Sequence, residues 1–354
     1  MGMPSISISF SEIAATAIKR GDRGIIAMIL KDTNIPEVNP VVCVSEADIP
    51  ANLSDDNKEQ IRLALRGYVN APSKVIAYVL NKTVDTYKAA LDYLRTVRFN
   101  YLVVPTVGTD KKTGEIVTYV KAERAAKKLI KAVLPNTKGD NEAIINYTTE
   151  KVFVGEKAYT AEQYCARIAG LIAGTPLKMS STYAPLHELT DCTRLTKEKM
   201  DSAVDGGEFI VWWDGEKVKT GRGVNSLTTL TPEKNTQFQK IKIMDALDMI
   251  SDDIRRTTED NYIGKYPNNY DNKCLLMSAI GNYFDELIRL SVIEGYTLEM
   301  DIEANRSYLK GRGVDVSKMN DEEIKTANTG SNVFLKVALT MTDAIEDVSL
   351  NITI

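Results

Sequence analysis

His187, in Pro-Leu-His-Glu-Leu, is the only histidine of this chain. One imidazole cannot build a His-rich metal centre or an HExxH zinc site. Any Ser-His or Cys-His pair would have to use this one residue. Ser181 stands close enough in sequence to be its nucleophile, but no G-x-S-x-G elbow presents such a serine, and a structural histidine is the simpler reading. Cys43, Cys165, Cys192 and Cys274 lie far apart, with neither metal-knuckle nor redox-motif spacing, and read as small buried hydrophobes. Two glycine motifs echo one another, Gly221-Arg-Gly-Val-Asn225 and Gly311-Arg-Gly-Val-Asp315. Neither has the GxGxxG or GxxxxGK[ST] spacing that cradles phosphates. A turn needing positive φ explains each, and pairing of Arg222 or Arg312 with a neighbour's carboxylate is the alternative use. Asp252-Asp253, Asp321-Glu322-Glu323 and Glu346-Asp347 read as solvated acidic faces. Alternation in a strand would turn one ring of Trp212-Trp213 into the core and the other outward, where it could anchor an interface. No catalytic, cofactor-binding or metal-binding constellation emerges from these residues.

The balance of the 354 residues narrows the field further. With 44 Lys+Arg against 48 Asp+Glu the formal charge is -4, so the basic excess that phosphate backbones require is missing, and no direct nucleic-acid partner is expected. No run approaches the ~18 apolar residues of a membrane span. The opening MGMPSISISFSEIAA has no basic stretch leading into an apolar one and does not read as a secretory signal. A chain of this length can bury roughly 75% of its unfolded surface, in two or more domains.

Apolar runs and helical periodicity alternate through the first half. Strands are expected at 25–30, 41–44, 74–80, 101–104 and 143–147. Helices are expected over 57–68 (capped by Ser54), 83–95, 118–133 and 160–174, with a small hairpin near 151–159. Such alternation with short connections predicts an open, mainly parallel α/β sheet over 25–185. After 185 the pattern is α+β: brief extended runs near 189–194 and 209–213, hairpin turns, and long helices over 235–256 and 269–292. A polar connector at 320–325 and a strand through 333–340 follow.

Both ends alternate polar and apolar with period two. Ser5, Ile6, Ser7, Ile8, Ser9 and Phe10 form one short amphipathic strand; Val348, Ser349, Leu350, Asn351, Ile352, Thr353 and Ile354 form the other. Strands this short are not stable alone. They complete the local sheet or are donated to the sheet edge of another chain, a binding mode worth ~0.5–1.5 kcal/mol per backbone hydrogen bond plus the buried side chains.

Several features occur in a fixed order: Arg20-Gly-Asp-Arg-Gly24 leading into Ile25–Leu30, YTAEQYCARIAGLIAGTPL at 159–177 followed by Ser180-Ser-Thr-Tyr183, and TMTDAIEDVSLNITI at 340–354. Phe209–Trp213, GRGVNSLTT at 221–229 and the 235–256 helix fall between them. This layout resembles that of contractile tail sheath proteins, especially the short sheaths of phage-like particles and contractile bacteriocins of Gram-positive, clostridial-type bacteria.

The resemblance implies a structural subunit, not an enzyme, with no cofactor. It would stack as hexameric rings around an inner tube and contract to drive that tube through a target envelope. Its partners would be identical subunits, the inner tail tube protein, and baseplate and tail terminator proteins. Its place would be the tail of a virion or phage-like particle, assembled in the host cytoplasm and released by lysis. Carried onto this chain, it gives an N-terminal arm (1–24), an outer α/β body (25–185), a tube-facing α+β domain (186–340) and a C-terminal arm (341–354). Gly21, Gly24, Thr342 and Asp343 would serve as hinges, and Asp343, Glu346 and Asp347 as contacts to the tube or a neighbour. A small-ligand-binding α/β enzyme and another self-assembling surface-array protein are the alternatives.

Overall fold

The structure, a computed structural model, describes residues 23–353. The expected strand at 5–10, Gly21 and Ile354 lie outside the described residues. Two compact units emerge: one takes 23–246 and 344–353, the other 247–343. The boundary expected at 185/186 is therefore displaced to 246/247.

In the first unit, continuous apolar runs become buried strands. β1 (Ile25–Asp32), β2 (Val41–Cys43), β3 (Lys74–Asn81), β4 (Tyr101–Val103), β5 (Lys131–Pro135) and β6 (Ile144–Tyr147) share one sheet. β7 (Lys151–Val154), β8 (Lys157–Thr160) and β9 (Asp191–Cys192) form a separate three-stranded sheet. β10 (Glu208–Phe209) then returns to pair in parallel with β6, which keeps residues beyond 185 in this unit. The order is β10-β6-β5-β4-β1-β3-β2, parallel throughout except for the antiparallel β2–β3 edge. The mainly parallel sheet read from the sequence is the one observed.

Two apolar layers cover it. Ile26, Met28 and Leu30 of β1 face a core shared with α1 (Asp55–Leu65) and α4 (Ala161–Ala173). Ile25, Ala27 and Ile29 face the opposite core, with α2 (Lys88–Leu94) and α3 (Thr113–Ala125). The helix expected over 118–133 stops early. Lys127 has φ 66, and the run after it is wholly buried as β5. Ser54 stands at the N-cap of α1 without a side-chain cap bond; its N–H instead donates to Asp32 at 2.8 Å. Thr160 caps α4 through a full capping box with Gln163. Along α4, a Cβ on Gly170 would stand 2.2 Å from the Ala64 carbonyl oxygen, so α1 and α4 meet at backbone distance.

The end of this unit is tied to the sheet by a buried carboxylate. Asp245 receives Arg23 at 3.1 Å, Lys131 at 3.1 Å and a short bond from the Tyr101 hydroxyl. α5 (Lys197–Asp205) and the hairpin of β11 (Val211–Trp213) and β12 (Val218–Thr220) complete the unit. A 3-10 turn at Thr236–Gln239 leads into α6 (Ile241–Asn261), within which the division between the units falls.

The second unit contains the rest of α6, then α7 (Tyr270–Arg289), β13 (Ile293–Met300), α8 (Ile302–Gly311), α9 (Asp321–Thr326) and β14 (Leu335–Met341). The stretch expected as a polar connector is helical as α9, because Asn320 and Glu323 form a capping box. Asp253, expected on a solvated face, is 1% exposed and accepts from the Tyr283 hydroxyl at 2.9 Å. β13 and β14 form an antiparallel two-stranded ribbon, with no third strand on either edge among the described residues.

Candidate functional site

None of the early candidates for chemistry makes a reactive pair. His187 is exposed, whereas Ser181 is 3% exposed with its Oγ lacking a hydrogen-bond partner, so the Ser-His dyad does not form. Cys43, Cys165 and Cys192 are buried, and Cys274 is half-buried. Burial, with Asp48 adding to it, pushes the Cys43 thiol up to about 11. Both tryptophans are half-buried, but on different sides: Trp213 packs against the core with Arg194 4.7 Å over its ring, whereas Trp212 packs on the exposed Tyr183 at 5.6 Å between rings. At the carboxyl edge between β1 and β4, where an open α/β sheet would hold a ligand, the polar groups engage one another. Lys31 pairs with Asp110 at 2.8 Å, and the Glu162 carboxylate accepts from the N–H groups of Gly108 and Thr109 at 2.5 and 3.0 Å.

The two glycine motifs differ in cause. Gly313 has φ +80 and needs the left-handed region, as expected. The 221–223 motif is instead set by crowding. A Cβ on Gly221 would come 2.8 Å from Ile210 Cγ1, and one on Gly223 would come 2.6 Å from Ser181 Oγ. This close approach presses Arg222 and the 221–223 backbone against Ser180-Ser-Thr182, and there the C-terminal segment docks.

Glu346 fills the resulting socket. Its side chain is only 6% exposed. Thr182 Oγ1 donates to Glu346 Oε1 at 2.5 Å while accepting from the Gly223 N–H at 2.9 Å. Ser180 Oγ lies 3.1 Å from the same carboxylate oxygen and accepts from the Thr182 N–H at 3.1 Å. Lys240 and Arg222 stand 3.4 and 3.9 Å from Oε2, which is buried and accepts no hydrogen bond, so both act on it by charge. Asp347 meets Arg222 Nη2 at 2.5 Å but is 79% exposed. Hydrogen bonds to a charged group contribute ~1.5–3 kcal/mol each, whereas an exposed pair contributes ~0–1 kcal/mol. Glu346 therefore dominates the attachment. It is held within its own chain, which corrects its expected role as a free contact to the tube or a neighbour.

Beyond the socket the chain is open. Residues 342–353 belong to no strand, and Val348, Leu350 and Ile352 are 79%, 79% and 75% exposed. Among the described residues, the expected C-terminal strand completes no sheet of its own molecule. Burying three such side chains would gain on the order of 5–9 kcal/mol. Of the hinge candidates, Thr342 donates its N–H to the Val292 carbonyl at 3.2 Å and Asp343 is exposed. Gly24 has φ +80 and packs so closely that a Cβ would stand 2.8 Å from the Ala173 carbonyl oxygen. Sequence reasoning assigned no role to Ser180, Thr182 or Lys240. No sequence pattern could have joined them, because they lie on stretches that only folding brings together.

The family model described as phage tail sheath protein central domain matches residues 81–226, and that of the phage tail sheath C-terminal domain matches 233–354. A tail sheath protein of Clostridium phage phiCD119 is 43% identical, over 99% of this chain and 99% of its own. In three dimensions, the sheath tail protein of Desulfitobacterium hafniense superposes with a TM-score of 0.69 at 20% identity, covering 85% of this chain and 93% of that one. The helical sheath of the anti-feeding prophage in its contracted state gives a TM-score of 0.70 at 16% identity, covering 100% and 99%. The sequence matches carry the conclusion and the shared fold accords with it: this chain belongs to the phage tail sheath protein family.

Proposed function

We propose that this chain is the repeating subunit of a contractile sheath whose C-terminal segment is a strand donated to a neighbouring copy. One observation carries the reading. Residues 348–353 form an alternating strand sequence with its apolar side chains exposed, and neither edge of the β13–β14 ribbon carries a further strand among the described residues. Six residues added to such an edge could make up to about six backbone hydrogen bonds, at ~0.5–1.5 kcal/mol each. The segment at 5–10 would serve in the same way from the other end of the chain. Tube, baseplate and tail terminator proteins are the further partners, with the 247–343 unit toward the tube and the 25–185 region outward. Asp343 and Asp347 are exposed and suited to charged contacts with a neighbour or the tube. Linker residues near 342–345 would absorb the rearrangement while the donated strands stay paired. Assembly would precede release of the particle from the host cytoplasm by lysis.

Electron microscopy of the concentrated protein beside a variant lacking 348–354 tests this. Hollow, six-fold tubes or rings from the full chain, lost in the truncation, are expected. Equal assembly by both would refute strand donation.

A further inference from the structure

We infer that Glu346 is a latch that fixes the root of the donated strand on its own subunit, so that only the residues after Asp347 reach the neighbour. This inference rests on the strand-donation reading and adds the residues that set its geometry. The carboxylate is 6% exposed, accepts from Thr182 Oγ1 at 2.5 Å, and lies 3.1 Å from Ser180 Oγ. Two cations, Lys240 and Arg222, stand over its other oxygen. The socket draws on three separate stretches of one unit, at 180–182, 222–223 and 240, so it exists only when that unit is folded. Immediately after it Val348, Leu350 and Ile352 are 79%, 79% and 75% exposed. A strand with a fixed root has fewer conformations to lose on pairing than one that swings from residue 342, and its register against the acceptor edge is set before the two meet. Asp347 closes on Arg222 from the solvent side and adds little, because water and salt screen it.

Cleavage after Glu346 by a glutamyl endopeptidase, followed by mass spectrometry on the unassembled full chain, reads the latch directly. The glutamate must leave its socket to enter the protease. Cleavage is expected to be slow in the native chain and at least tenfold faster in Arg222→Ala/Lys240→Ala, with the concentration needed for polymerisation raised about tenfold. Lys240→Met, which keeps the stem volume, should give an intermediate rate and guards against loss of folding in the double variant. Its far-ultraviolet spectrum and melting should match those of the unaltered chain. Cleavage at the native rate in both variants, or faster cleavage with unchanged polymerisation, would overturn the positioning role. The truncation lacking 348–354 separates the two ideas: if it polymerises normally, strand donation fails, while rapid cleavage confined to the socket variants would still establish the latch as an intramolecular clamp.

Discussion

The seven-stranded sheet and the β13–β14 ribbon use the same kinds of residue, yet one is closed and the other is not. In the sheet, successive side chains of β1 enter two separate cores, and helices cover both faces. In the ribbon, most positions of β13 and β14 are half-buried or exposed, including Val337, and neither edge pairs with another strand among the described residues. An unfilled edge is normally something a folded protein hides. Against the central strands of the sheet, which are almost wholly buried, this exposure is what makes the ribbon the candidate acceptor proposed above.

That contrast can be broken or sharpened by substitution. The largest effect should come from Asp245→Ala, which removes the shared acceptor of Arg23, Lys131 and Tyr101. Loss of ~3–5 kcal/mol is expected in urea unfolding of the first unit. Gly170→Ala, which forces a methyl against the Ala64 carbonyl, should cost about 2–3 kcal/mol. Acid should also act on the closed unit. Burial pushes the Glu188 carboxyl up, but the charge and hydrogen bond of Arg167, 2.5 Å away, outweigh it and hold it below the usual carboxylate range. Because the folded value is depressed, the stabilisation is present above the unfolded value of ~4.3 and is lost as pH falls through the folded one. Glu188→Gln should flatten the acid limb of the stability profile. Val337→Lys in the ribbon should change monomer stability by no more than ~0.5 kcal/mol and yet abolish polymerisation, measured by sedimentation. A substantial loss of monomer stability in that variant would mean the ribbon is closed after all. The smallest perturbation is chemical: a thiol reagent at pH 8 should label Cys274 first, because burial pushes Cys192 up to about 11 and Cys165 well above its ordinary value.

The parts visible in the sequence were those with a strong local pattern. Ile25–Leu30 and Val75–Leu80 are continuously apolar and became strands inside the sheet, and the helical periodicity over 160–174 became α4. Where two patterns competed, the reading failed. Lys131–Pro135 follows a helix with no strong breaker, and only tertiary burial makes it a strand. The two-residue β10 is too short to show periodicity and owes its existence to the β6 edge, which is why the domain boundary was placed too early. At the site, alternation at 348–354 was legible. The socket was not, because Ser180, Thr182, Arg222 and Lys240 meet only through folding, and an acidic Glu346-Asp347 pair looks like any solvated face until its surroundings are known.

The order of attachments along the C-terminal segment also fixes a path for force. Tension applied to residues 348–353 arrives at Glu346 before it can travel to the linker at 343–344 and into the unit that precedes it. While the socket holds, the pull is delivered into the large parallel-sheet unit, and the 247–343 unit with its β13–β14 ribbon is spared that load. A subunit that is both pulled by one neighbour and gripping another would thereby take the two strains in different parts of its body.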